Sequence, residues 1–217
     1  METTTRRKYI IATITRWQDA TMINELMNSV DFFNVETENF YAPFHLTSIT
    51  GPLAPLYSSN KNSIDDTMKW LICKTGKPSL FDMILPFRGS YFENVNQPVN
   101  DSLYRNVDLV NGTSQGGLII WREMEARGFD FKKAIWHEES KIYFFCDEKR
   151  ERLYTFDDPR SLKEKVSYAV SKNLGGVAIR QLEYDDNANT HLNAVRSIDL
   201  CSNIKEDAIK YNCDGYD

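Results

Sequence analysis

Long apolar runs, metal-type spacings of cysteine or histidine, and a surplus of positive charge are all missing from this chain of 217 residues. The early apolar stretch, Tyr9 to Ile14, is shorter than the core of an export signal and far shorter than a membrane span. As written, the sequence predicts neither. Cys73, Cys146, Cys201 and Cys213 lack ligand-like spacing, and His45, His137 and His191 share none, so no metal and no cofactor is expected. The cysteines read as buried or free thiols, with a Cys201 to Cys213 bridge open only if the protein is secreted. A formal charge of -5 and a pI near 5.3 argue against nucleic acid as a partner. What remains is an ordinary core-forming chain, 41% hydrophobic, with disorder expected only over residues 1–7 and beyond Asp199.

Helices and short apolar runs alternate along much of its length. Gly175-Gly176 marks a helix-to-strand joint, and Val177-Ala178-Ile179 behind it has the length of an inner, parallel strand that runs out through Arg180 towards Asp185-Asp186. Ahead of it, Asp157-Asp158-Pro159 supplies cap-type residues for a helix over Ser161 to Ser171, whose apolar side carries Leu162, Val166, Ala169 and Val170. The same unit recurs upstream. Ile64 to Lys74 predicts a helix, Gly76-Lys77-Pro78 a stop, and Phe81 to Phe87 a strand ending in Arg88-Gly89. Ile23 to Asn28 precedes a strand over Val30 to Val35, and Lys8 to Ile14 adds another β-branched run. This order predicts an α/β chain with parallel pairing. Between Tyr104 and Phe156 the alternation breaks: a helix over Leu118 to Arg127, a stop at Gly128, and strands at Ala134-Ile135-Trp136 and Lys141 to Phe145 predict a small α+β insertion lobe.

Several separated segments, taken in order, resemble the C-terminal half of a glycoside hydrolase family 18 chitinase-like protein. Val30-Asp31-Phe32-Phe33-Asn34-Val35 resembles that family's sixth barrel strand, Gly51-Pro52-Leu53-Ala54-Pro55-Leu56-Tyr57 the loop after it, and Met83-Ile84-Leu85-Pro86-Phe87-Arg88-Gly89 the seventh. Tyr154-Thr155-Phe156-Asp157-Asp158-Pro159, with Ser161, Lys165 and Gly175-Gly176, is similar to the stretch leading into the eighth. The resemblance implies a partial TIM (β/α)8 barrel of strands five to eight. Residues 8–103 would carry strands five to seven, 104–156 the insertion lobe, 157–200 the last helix and strand, and 201–217 a C-terminal tail. A full barrel takes about 250 residues, and four strands cut from a closed sheet leave open edges that invite self-association.

The departures from the family pattern bear on function. The family's acidic motif on its fourth strand, which ends in the Glu that acts as general acid, would lie before Met1 in this alignment; hydrolysis there is assisted by the substrate's own acetamido group. Where the sixth strand should end in Met-x-Tyr-Asp, this chain has Glu36, Glu38 and Asn39. The seventh strand's Tyr is Arg88, and the eighth strand's Trp, the floor under the sugar ring, is Arg180. Gln115 stands where relatives place a sugar-binding Glu. The resemblance thus implies a catalytically silent protein that holds chitin or another N-acetylglucosamine polymer through Glu36, Glu38, Asn39, Arg88, Gln115 and Arg180.

Duller readings stand beside these. Glu36, Glu38, Arg88 and Arg180 equally suit an interior ion-pair cluster, because buried charges require partners. Trp136, Tyr143 and Phe145 suit a lobe core as well as a groove wall, and Trp70 and Trp121 suit helix packing. A second register, with Asp31 to Glu38 as the acidic motif, would make Glu38 the proton donor of an active hydrolase or of one completed by a second chain. A fragment without a stable fold is the third reading. The family is usually extracellular, where the sequons at Asn100 and Asn111 would matter; the chain as written implies retention in the cytoplasm.

Overall fold

A computed structural model describes residues 8–16, 19–99, 101–124, 126, 129–200 and 211–216. Four strands, β1 (Ile11–Thr15), β2 (Phe32–Glu36), β3 (Phe81–Pro86) and β11 (Gly176–Arg180), form a wholly parallel sheet in the order β1-β2-β3-β11. Period-two alternation sends Ile14, Phe33, Val35, Phe81, Met83 and Leu85 to one face. There they meet helices α1 (Ala20–Leu26), α2 (Ile64–Thr75), α4 (Pro159–Ser171) and α5 (Thr190–Arg196) in the largest core, with Ile23, Met68, Leu71, Leu162 and Val166. The sheet does not close into a barrel, and among the described residues its outer strands are β1 and β11.

Local chemistry sets the helix ends. Asp19 caps α1 by accepting from the Thr21 amide at 2.7 Å, and Asp158 caps α4 from the Ser161 amide at 2.8 Å, with Pro159 opening the helix. Ser63 accepts from the Asp66 amide while its hydroxyl donates to the Asp66 carboxylate, at 3.2 and 2.5 Å. Gly76 then ends α2 with φ +69°, a left-handed conformation that glycine adopts without strain.

After β3 the chain changes sheets. Only Phe87 separates β3 from β4 (Arg88–Phe92), which joins β7 (Gly116–Ile120), β8 (Ile135–His137), β9 (Ile142–Asp147) and β10 (Arg152–Phe156) in an antiparallel sheet of order β7-β4-β10-β9-β8. A hairpin of β5 (Val95–Pro98) and β6 (Arg105–Val107) covers one face. Phe92, Phe144, Ile142 and Leu153 pack there with Val95, Leu103 and Val107. On the opposite face Ile119, Tyr154 and Phe156 pack with Met124, Phe129 and Tyr143.

Two expectations are corrected. The helix predicted over Leu118 to Arg127 begins as strand β7, and only α3 (Trp121–Met124) is helical; the expected stop at Gly128 lies outside the described residues. Pairing with β4 and alternation of exposed Leu118 with buried Ile119 override the helical propensity of this stretch. Cys213 is bonded to Cys73 on α2, not to Cys201, which lies outside the described residues. The tail reaches α2 because the Tyr216 hydroxyl donates to Asp66 at 3.2 Å and the Tyr211 hydroxyl donates to the Lys172 carbonyl. Cys146 is free and half-buried.

Candidate functional site

The carboxyl ends of parallel strands are where open α/β sheets gather chemistry, and here β2, β3 and β11 deliver charge to one point. β2 ends at Glu36, and Glu38 and Asn39 follow; Arg88 stands two residues beyond β3; Arg180 is the last residue of β11. Asn39 at φ +57° and Gln181 at φ +65° turn the chain sharply after β2 and β11, in the left-handed region that Asn tolerates better than most residues.

Five of the six residues expected to contact sugar meet here. Glu38 sits at the centre with no exposed side-chain surface. Arg88 Nη2 donates to its Oε2 at 3.0 Å, and to Asn39 Oδ1 at 3.1 Å. Arg180 Nη1 lies 2.7 Å from Glu38 Oε1, an ion-pair contact without hydrogen-bond alignment, while its Nη2 donates to Glu36 Oε1 at 2.8 Å. Burial opposes the charge on Arg180, but the hydrogen bond from Glu36 and the field of both glutamates outweigh it and raise the guanidinium pKa. Arg88 is buried, and its Nε and Nη1 have no hydrogen-bond partner. Unmade bonds of that kind are costly in a dry site.

Sequence reasoning missed a third arginine. Arg16, just past β1, donates from Nη1 to the Glu38 carbonyl at 2.8 Å and from Nη2 to the Asn39 carbonyl at 3.2 Å, with its guanidinium 4.4 Å from the Phe40 ring centre. Burial lowers its pKa. Its position one residue after a predicted inner strand was the available signal.

Gln115 is placed elsewhere. Its Nε2 donates to the Val110 carbonyl at 3.4 Å and to the Thr113 carbonyl and hydroxyl at 3.2 and 3.1 Å, which closes the turn before β7. Trp121 packs at 4.1 Å ring separation from His191 and donates to Asp186 at 3.2 Å. Trp136 and Tyr143 stack at 5.1 Å within the antiparallel sheet. Among the described residues no group of three His, Cys, Asp or Glu side chains converges as a metal would require, and no helix is long and apolar enough to cross a membrane.

Solved structures share this architecture at low identity. A chitinase from Rhizomucor miehei matches with a TM-score of 0.71 and 23% identity, over 87% of this chain and 61% of its own. A chitinase-like agglutinin from Robinia pseudoacacia gives 0.72 and 22%, over 89% and 56%. A class V chitinase from Nicotiana tobaccum, in complex with NAG4, gives 0.73 and 16%, over 87% and 56%. The chain therefore spans little more than half the length of these proteins. The model of the glycosyl hydrolases family 18 matches residues 2–185, and with that span covering most of the sequence, the chain belongs to this family.

Proposed function

We propose that this chain is a catalytically silent, chitinase-like domain that holds chitin or other N-acetylglucosamine-containing glycans at the carboxyl ends of its parallel strands. The observation that carries the reading is the state of Glu38. A general acid must present its carboxyl to the leaving oxygen. Glu38 presents both oxygens to guanidinium groups and no surface to an incoming sugar. Glu36, Asn39 and Arg180 form the accessible edge that would meet the glycan, with Arg88 behind them. Gln115 would contribute from the turn before β7 only if the sugar extended towards it.

The parallel sheet suits strands five to eight of a barrel, with residues 104–156 as the insertion lobe and 157–200 as the returning helix and strand. Its outer strands β1 and β11 are where a second copy would pair. The Cys73–Cys213 bond supports an extracellular site of action, because disulfides persist in oxidising compartments.

Turnover of a fluorogenic chitobioside by this chain tests the silent reading; the expected result is none. Turnover that disappears in Glu38→Gln would overturn it. Retention on chitin beads, released by soluble chito-oligosaccharide and weakened in Arg180→Ala, is the expected binding result. Retention insensitive to sugar competitors would mean charge-driven adsorption instead.

A further inference from the structure

The face of the antiparallel sheet opposite Arg88 holds a second recess. Arg88 and Tyr91 lie three residues apart on β4 and so point to opposite faces, which puts the whole sheet between this recess and the Glu38 cluster. Pairing registers align Gly117, Tyr91, Tyr154 and Phe145 in one row across β7, β4, β10 and β9. The three rings stand 5.6 and 6.0 Å apart with interplanar angles of 31° and 24°. Gly117 is part of the design, since a Cβ there would come within 3.0 Å of the Tyr91 ring.

Phe129 and Phe131 roof the next row, around Phe156, and leave the first row partly uncovered. Tyr91 and Phe145 remain half-buried, and the uncovered space is a cavity of about 410 Å³, within the size range of small-ligand sites. Its rim is cationic on an acidic protein. Lys133, Lys149, Arg150 and Arg152 line it against Asp130 and Asp147. Arg152 is anchored, paired with Glu93 and seated 5.3 Å over the Tyr91 ring; counting Glu93, four cations face three carboxylates. The Lys133–Asp130 and Arg150–Asp147 pairs are long, 3.9 and 3.8 Å, and solvent-exposed. Such pairs contribute little and give way readily to a ligand anion.

We propose that this recess binds an acidic sugar ring, a hexuronate or a sulfated hexosamine, independently of the Glu38 cluster. The aromatic row receives the apolar C–H face of the ring, Asp130 and Asp147 accept from its hydroxyls, and the Lys149–Arg150 turn takes the carboxylate or sulfate.

Amide chemical-shift titrations of the whole chain with glucuronate, N-acetylglucosamine 6-sulfate, neutral N-acetylglucosamine and inorganic sulfate test this. The expected outcome is that at least one acidic sugar shifts Tyr91, Phe145 and Tyr154, binding about tenfold tighter than the neutral sugar or inorganic sulfate. The tighter of the two acidic sugars identifies the headgroup. The double variant Lys149→Glu, Arg150→Glu changes only an exposed turn, so it should melt as the parent does and bind about tenfold more weakly. The proposal is overturned by acidic and neutral sugars binding equally, by inorganic sulfate matching the sugars, by undiminished binding in the double variant, or by no shift on this face. Binding at the Glu38 cluster would shift Glu36, Asn39 and Arg180 instead, so the two sites are read separately.

Discussion

Arg180, at the end of β11, holds Glu38, two residues past β2, at 2.7 Å, although 142 residues separate them in the chain and β3 lies between their strands. Arg88 holds the other carboxylate oxygen at 3.0 Å. One buried carboxylate thus ties together the ends of three strands. Its burial makes the pairing obligatory, since an uncompensated charge in the interior is far more costly than the pair itself is favourable.

Removal of one partner should therefore be unequal. Arg88→Ala leaves Glu38 buried with one oxygen unpaired and is expected to cost about 3–5 kcal/mol. Arg180 is about one-third exposed, and its loss lets water reach the other oxygen, so Arg180→Ala should cost only about 1 kcal/mol. Urea titrations of the two single variants and of each combined with Glu38→Gln form a double-mutant cycle. Equal costs for the two arginines would contradict the burial argument.

Stability against pH should reflect two buried groups acting in opposite directions. Burial between Trp121 and Phe87, with both ring nitrogens lacking hydrogen-bond partners, drives His191 from 6.5 to about 4. Between those values the unfolded chain binds more protons, so this contribution is complete above pH 6.5 and is lost as pH falls to about 4. Burial raises Asp82 from 3.8 to about 6, so the folded chain binds more protons there, and the cost at neutral pH is relieved as pH falls from about 6 to 3.8. Asp82→Asn should therefore stabilise at pH 7 by about 1–2 kcal/mol after allowance for solvent screening, and by nothing once Asp82 itself is protonated. Urea midpoints across this range check both the sign and the window.

How much was legible in the sequence follows from where the decisive interactions lie. The inner strands β2, β3 and β11 declare themselves as short apolar runs bounded by turn residues, and α2 and α4 by their caps and apolar stripes. The ion-pair cluster was equally readable, because charged residues at the ends of inner strands must find one another. Strands β4, β7 and β10 were not. Arg88-Gly89-Ser90-Tyr91-Phe92 mixes small, charged and aromatic residues, and only pairing with partners 28 to 67 positions away makes it a strand. Leu118 to Arg127 has helix-forming residues throughout and becomes a strand only through β4. Cys213 finds Cys73 across 140 residues, a separation that carries no spacing signal.

Gly89 marks the tightest approach between β4 and β10. A Cβ at this position would lie 2.5 Å from the Thr155 carbonyl oxygen, 2.8 Å from the Phe156 Cβ and 2.9 Å from Ile119. Backbone on one side and a branched side chain on the other leave little room to yield. Gly89→Ala is expected to destabilise by about 2–3 kcal/mol through overpacking, and because Arg88 is adjacent, the shift should also disturb the Glu38 pairing. Gly112→Ala is the control: nothing lies within 4 Å of its added methyl, and its cost should come only from the left-handed backbone at φ +80°. Thermal melts of the two variants should rank Gly89→Ala well below Gly112→Ala.

The Cys73–Cys213 bond should matter to stability more than any single pair in the cluster. It closes a loop with a sequence separation of 140 residues that contains β3, the whole antiparallel sheet, α4, β11 and α5. In the chain-entropy account, a cross-link over so long a loop removes much of the freedom of the unfolded state and contributes about 4–5 kcal/mol. Cys213→Ser should lower the urea midpoint accordingly, and a reducing agent should bring the parent to the same midpoint while leaving the variant unchanged. Tyr216 would lose its anchor beside Asp66 in both cases, so the comparison isolates the covalent constraint. Equal midpoints for the parent with and without reductant, in protein whose non-reduced mass shows the bond formed, would mean that the tail is held by its tyrosines alone.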